Sequence, residues 1–245
     1  MDDRLFTLSS TFYLLHLSSI FHLLSSFIVM FDNREEAGLL LANKLKEYKK
    51  SQEAIVLAIP RGGVIVGKQI ANYLALPLSV VIIKKLGAPH NPELAIGAIA
   101  ADGVKVLDKE LISGLGVGDN YLEEEIERKQ KEIEERGKKF KIKNLKLRIK
   151  DKSAIILVDD GIATGATTLA AIKFIKQKTE NIKQKTEIIL AVPVVAKDTY
   201  GRLQSEVDKL IALEIAENFY AVGQFYREFP QVTDEEVIKY LKQPK

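Results

Sequence analysis

From Phe31 onward the chain alternates between two kinds of segment. Short runs that are almost wholly apolar (Ala54–Ile59, Leu78–Ile83, Ala154–Val158 and Glu187–Val195) have the pattern of strands buried on both faces of a parallel sheet. Between them lie segments with helical spacing. Asn33–Lys50 places Ala37, Leu40, Leu41 and Leu45 on one face, with Asp32 as a candidate N-cap and Glu35 and Glu36 in the first turn. Val64–Leu74, Thr167–Lys178 and Asp198–Leu203 also suit helices, Lys209–Glu214 suits a further strand, and the tail turns helical again from about Thr233. Lys84–Glu93, carrying Gly87, Pro89 and Pro92, is expected to be a loop, followed by short strands Leu94–Ala101 and Val104–Leu107 around a turn at Asp102-Gly103. Asn120–Phe140 is a charged helix with few apolar anchors (Leu122, Ile126, Ile133, Phe140), the pattern of a solvated helix covering one edge.

Strands that alternate with helices imply an α/β fold: a mostly parallel sheet flanked by helices. Ligands of such sheets sit beyond the carboxyl ends of the strands. Two segments follow strands directly, Pro60-Arg61-Gly62-Gly63 and Asp159–Thr167, so both are expected on that edge, within reach of one ligand.

Ahead of this pattern, Leu5–Val29 is rich in Leu, Phe and Ile and long enough to cross a bilayer. Its acidic start, Met1-Asp2-Asp3-Arg4, lacks the basic region of a signal peptide, and no small-residue cleavage site precedes Phe31. The expectation is that residues 1–29 are an extension ahead of a true start at Met30, and that a membrane role is the lesser alternative.

Composition removes several classes of chemistry. The chain of 245 residues has no cysteine, which excludes disulfides, thiolate nucleophiles and zinc–thiolate sites and agrees with a cytoplasmic location. A hydrolytic triad or a histidine metal cluster would have only His90 to use, since the other histidines, His16 and His22, fall in the N-terminal extension. The net charge of +3 comes from well-mixed acids and bases, unlike the basic stripe of a dedicated nucleic-acid binder.

The candidate chemistry lies in Val158–Thr167. Asp159 and Asp160, at a strand end, can both lean toward a sugar diol and accept its hydrogen bonds. Ala163-Thr164-Gly165-Ala166-Thr167 opens a helix, whose free N–H groups and dipole favour an anion; the threonine hydroxyls add donors, and Gly165 lets a phosphate approach closely. In the other loop, Gly62 and Gly63 expose N–H groups and Arg61 can donate in bidentate fashion to phosphate.

Val158–Thr167 resembles the signature of type I phosphoribosyltransferases, which bind 5-phosphoribosyl-1-pyrophosphate (PRPP), and the likeness extends over nearly all of the chain after Met30. Ile59-Pro60-Arg61-Gly62-Gly63 is similar to the family's pyrophosphate loop. Lys84–Ala98 and Phe219–Tyr226 look like segments of an uncharacterised, stand-alone subgroup. The resemblance implies a Rossmann-like core over 31–245, with a small hood from about 31–50 and 218–229. Transfer of the phosphoribosyl group to a nitrogenous base would release pyrophosphate. Asp159 and Asp160 would hold the ribose hydroxyls and reach Mg²⁺ through water. Ala163, Thr164, Gly165, Ala166 and Thr167 would hold the 5′-phosphate. Arg61, Gly62, Gly63 and either Lys84 or Lys85 would face the pyrophosphate, with His90 a loop or substrate contact. Alanine at 163 cannot supply the carboxylate with which 6-oxopurine enzymes deprotonate the base, a role Asp160 or Glu93 could take over, whereas adenine, orotate and uracil enzymes tolerate a small residue there. Tyr220, Phe225 and Tyr226 could stack on a ring. The family implies a homodimer. Two alternatives are a PRPP-sensing regulator of the same fold that binds nucleic acid, through the lysines of Lys138–Lys152, and a hydrolase using the same cradle.

Overall fold

Five of the apolar runs pair side by side as a parallel sheet. In a computed structural model that describes residues 30–141, 149, 152–180 and 185–242, the strands are β1 (Ala54–Ala58), β2 (Leu78–Val80), β6 (Ala154–Val158), β7 (Glu187–Ala196) and β8 (Lys209–Ala216). Their order is β2-β1-β6-β7-β8, every pair parallel. All of β1 and β6 is buried, as strands covered on both faces must be.

The alternation of side chains along these strands divides the core. Val56, Ile156 and Val158 point to one face, which helices α1 (Arg34–Lys44) and α2 (Gly63–Leu74) cover with Leu41, Val66, Ile70 and Leu74. Ile55, Leu57, Ile155 and Leu157 point to the other, covered by Ala171, Ile172 and Phe174 of α5 (Ala166–Thr179). The register sets Ala58 beside Val158. Strands β1 and β6 therefore end level, and the loops that follow them emerge side by side.

The segment expected to be a loop is a hairpin. β3 (Ile83–Ala88) and β4 (Asn91–Ala100) pair antiparallel about a tip at Pro89-His90, and β5 (Lys105–Leu107) joins them in a second, three-stranded sheet. Gly87 sits where the register slips, and a Cβ there would lie 2.8 Å from Pro92, so the glycine read as a breaker marks a bulge with close backbone approach. The run Leu78–Ile83 is divided between the two sheets, and the first helix is α-helical only to Lys44 before a 3₁₀ turn at Lys46–Tyr48 carries Tyr48 into the core. A short helix not expected from the pattern, α3 (Lys109–Gly114), is capped by Asp108, whose carboxylate accepts from Leu111 N at 2.9 Å. Helix α4 (Asp119–Lys139) packs Ile133 and its cap residue Phe140 on the second sheet.

The remaining helices are α6 (Lys197–Gln204) and α7 (Asp234–Lys242). The two ends of the described fold meet: Phe31 pairs with Tyr226, Phe31 N donates to Phe225 O and Arg227 N to Phe31 O, both at 2.8 Å. Phe31–Lys245 forms one compact unit, and Met1–Met30 is a separate unit of which only Met30 is described. Leu5–Val29 and most of the lysines between Lys141 and Lys152 lie outside the described residues. No described helix is long and apolar enough to cross a membrane.

Candidate functional site

The loops after β1 and β6 touch through their glycines and acids. A Cβ on Gly62 would lie 1.8 Å from Asp160 Oδ2, and one on Gly63 would lie 2.9 Å from Asp159 Cα. Glycine is needed at both positions because another loop occupies the space, not because the backbone is unusual: Gly62 has φ −60°. The Pro60–Arg61 peptide is cis, and Arg61 is half-buried at the turn into α2.

The Asp159 loop is fastened from behind. Ile162 bridges to β7, donating to Val194 O at 2.9 Å while its carbonyl accepts from Ala196 N at 3.0 Å. Thr199 Oγ1 donates to Ala163 O at 2.6 Å, and Arg202 Nη2 donates to Thr164 O at 2.8 Å. Helix α6 thus ties down the loop carbonyls. The chain enters α5 at Gly165, in a left-handed conformation (φ 73°) that favours glycine, and no side chain caps this helix start. Ala163 and Thr164 are exposed, Ala166 and Thr167 partly so. An uncapped helix start with its neighbouring carbonyls already committed presents N–H donors and the positive dipole end outward, the arrangement of an anion cradle. Thr199 and Arg202 escape sequence reasoning because they approach the loop from another helix, forty or so positions away.

The acids have a neighbour outside both candidate loops. Arg34, in the first turn of α1 and buried, donates through Nε to Asp160 Oδ2 at 2.7 Å and through Nη1 to Pro230 O at 2.9 Å. Its guanidinium lies 3.7 Å from the centre of the Phe229 ring. Tyr226 donates its hydroxyl to Asp160 O at 2.6 Å, and Asp160 N donates to Asp159 Oδ1 at 2.9 Å. Burial first, and then the charge of Asp160, push the Asp159 carboxyl well above its ordinary range, and Arg34 offsets only part of this. Burial, with the Asp160 charge next, also raises the Tyr226 phenol, so it stays a donor.

Alternation along β3 separates the two lysines. Lys84 turns to α4 and pairs with Glu132 at 2.6 Å. Lys85 is exposed on the opposite side and lines a cleft of about 730 Å³ with Thr164, Gly165, Lys173 and Arg202. Of the two candidates, only Lys85 shares a cavity with the phosphate-type loop. Helix α4 does more than cover an edge. Tyr121 Oη donates to Gly87 O at 2.9 Å, and Glu132 holds Lys84, so the helix grips the hairpin that carries Lys85. His90 is exposed at the hairpin tip with φ 62°, and the Glu93 side chain lies outside what is described.

The aromatic candidates also divide. Phe225 and Tyr226 are buried with Phe31, Val194 and Ala216, so they are packing groups rather than stacking faces. Tyr220 is 89% exposed. Among the described residues no three His, Asp or Glu side chains cluster as a metal cage.

Comparison with known proteins agrees with this geometry. Residues 33–230 match the family model described as a phosphoribosyl transferase domain. A Mycobacterium tuberculosis protein named "Putative phosphoribosyl transferase" is 38% identical over 212 residues, which is 86% of this chain and 46% of that protein. The chain therefore spans about half the length of the curated relatives it matches. The crystal structure of the protein TT1426 from Thermus thermophilus is similar with a TM-score of 0.67 and 34% identity, covering 86% of this chain and 97% of that one.

Proposed function

Because the chain belongs to the phosphoribosyl transferase domain family, we propose that it transfers the 5-phosphoribosyl group of PRPP to a nitrogenous base and releases pyrophosphate, at the edge where the loops after β1 and β6 meet. One observation carries this reading: a pair of acids, an uncapped helix start and a glycine loop in contact with those acids all stand on one sheet edge. Carboxylates suit a ribose diol, N–H donors suit its 5′-phosphate, and the Gly62-Gly63 loop suits a second anion beside the first.

In this reading Asp159 and Asp160 accept from the ribose hydroxyls, and Ala163–Thr167 hold the 5′-phosphate. Arg61 and the N–H groups of Gly62 and Gly63 meet the pyrophosphate, and Lys85, whose cleft is shared with Thr164 and Gly165, supplies a further cation to it. A ring nitrogen of the base forms a bond to ribose C1 with its lone pair as the C1–oxygen bond breaks, and that electron pair leaves on pyrophosphate. The acids tolerate positive charge developing on the sugar, and the basic groups meet negative charge on the leaving group. With alanine at 163, the proton that the base nitrogen loses passes to water or to a phosphate oxygen of the departing pyrophosphate, unless Asp160 accepts it.

The residues fit Mg²⁺ as a guest held largely by substrate. Two adjacent carboxylates without a third acid or histidine among the described residues give no cage of their own, and Mg²⁺ commonly keeps waters and takes phosphate oxygens. Asp159 and Asp160 would hold it through water. When bound, it would neutralise charge on the pyrophosphate oxygens.

The test is isothermal titration of the protein with PRPP and Mg²⁺, followed by a pyrophosphate-release screen across purine and pyrimidine bases. Binding with release on one base is the expected result. Thr164→Asp, which puts like charge in the cradle, should remove PRPP binding. Absence of PRPP binding in the unaltered protein, or full affinity in the variant, would refute the assignment.

A further inference from the structure

We propose that Arg34 is the positioning residue for Asp160: it holds one carboxylate oxygen so that the other faces the ribose hydroxyls. This rests on the reading of the site given above and extends it to a residue outside both loops.

Burial gives the first argument. A guanidinium with a side chain only 6% exposed is costly to desolvate unless it is paired, and the partner here is Asp160, whose side chain is 15% exposed. Geometry gives the second. Three contacts use separate parts of one planar group: Nε to Asp160, Nη1 to the Pro230 carbonyl, and the face to the Phe229 ring. A fork fixed at two donors and stacked on its face cannot swivel, so Asp160 Oδ2 is held in one place. The fixed position is needed on the other side as well, because that oxygen lies where a Gly62 Cβ would be, and Arg34 Nε is 2.8 Å from the same point. With Oδ2 committed to Arg34, Oδ1 is the oxygen left to accept from a sugar.

The third argument is connectivity. Arg34 begins the first helix, and Phe229 and Pro230 come from the tail, where the ends of the fold pair through Phe31 and Tyr226. The terminal segments thereby hold an acid carried by the centre of the sheet. A lysine could supply charge at one point but neither the second directed hydrogen bond nor the flat stacking face.

The experiment compares wild type, Arg34→Gln and Arg34→Lys for binding of ribose 5-phosphate and of 2,3-dideoxyribose 5-phosphate, which keeps the phosphate and lacks both hydroxyls. Loss of a charge-assisted contact should weaken ribose 5-phosphate in Arg34→Gln by about 10-fold or more. The dideoxy compound, held by the cradle alone, should change by less than about twofold, and Arg34→Lys should recover part of the difference. In an Asp160→Asn background, Arg34→Gln should add little, because one path is already cut. Should Arg34→Gln fail to fold, Phe229→Leu loosens the same guanidinium and should move the two ligands apart in the same direction, by less. Equal losses for both ligands would overturn the proposal, leaving Arg34 a general support of the fold, and so would unchanged binding of both. If wild type itself binds the ribose compound no better than the dideoxy compound, the reading of the acids fails first, and the proposal with it.

Discussion

Gly62→Ala probes whether the two loops meet as described. The backbone at Gly62 is ordinary for any residue (φ −60°, ψ −37°), and on backbone grounds alone alanine should stabilise the protein by about 0.4–1 kcal/mol through the unfolded chain. Space decides otherwise. The new Cβ would stand 1.8 Å from Asp160 Oδ2 and 2.5 Å from its Cγ, and contacts under 3.0 Å are not found in real structures, so the carboxylate must retreat by more than an ångström. Retreat is blocked on one side by Arg34, whose Nε is 2.8 Å from the same point. The change therefore breaks a charge-assisted hydrogen bond, worth about 1.5–3 kcal/mol, or overpacks the junction at similar cost. After the backbone gain is subtracted, a net loss of about 0.5–2.5 kcal/mol remains, a fall of a few degrees in melting temperature for a fold of this size. Thermal unfolding measures the first effect, and titration with ribose 5-phosphate measures the loss of Asp160 alignment. A variant that melts at or above the wild-type temperature and binds the sugar phosphate equally well would refute the contact between loops and with it the composite site.

Three further outcomes follow from the same geometry. Lys85→Ala should weaken pyrophosphate binding by about 10-fold, while Lys84→Ala should leave it within about twofold; equal effects in a titration would contradict the opposed facing of the two lysines. Burial would raise the Glu132 carboxyl, but hydrogen bonds from Lys129 and Lys84 together outweigh it and lower the carboxyl from 4.5 to about 2. A depressed folded value stabilises above the unfolded value, so the melting-temperature gap between wild type and Glu132→Gln should be full above pH 4.5 and close as pH falls toward 2; a constant gap would show that the ion pairs do not form. Gly201, inside α6, has nothing within 4 Å of a new Cβ, so Gly201→Ala should raise stability by about 0.5–1 kcal/mol in urea unfolding, and a loss would reveal a neighbour there.

What the sequence made legible was whatever is consecutive. β1 and β6 stand out because a strand buried on both faces has no polar position, and the Asp159 loop stands out because its acids, glycines and threonines follow one another along the chain. The hairpin was not legible, because Gly87, Pro89 and Pro92 have the composition of a loop, and only the partner strand reveals that one glycine serves a bulge and the first proline a tip. For α4, Ile133 and Phe140 were found as anchors, whereas its polar grip on β3 could not be: Glu132 looks like any other acid on a charged helix until Lys84 lies across from it. Stacking by Phe225 and Tyr226 failed for a related reason. An aromatic side chain reads the same whether it faces a ligand or Phe31, and only pairing of the two ends decides between them.

Arg34 is the instructive case, because the sequence did carry a sign of it. The helix start reads Asp32-Asn33-Arg34-Glu35-Glu36, and four of these residues suit the positive end of a helix: Asn33, not the expected Asp32, is the cap and accepts from Glu36 N, and the acids favour the dipole. The arginine does not. A cation in the first turn opposes the dipole by about 0.3–1 kcal/mol, and this one is buried besides, so a compensating partner is required. That partner is an acid more than a hundred positions away in the proposed ribose site. A residue that works against its own helix and finds its one charged partner in a distant loop, with the tail's Pro230 carbonyl and Phe229 ring completing its contacts, is placed to hold that loop. The same logic explains why the ends of this fold bear on the proposed site: the sheet edge carries the uncapped helix start and the acids, and the arginine that fixes one of those acids comes with the first helix.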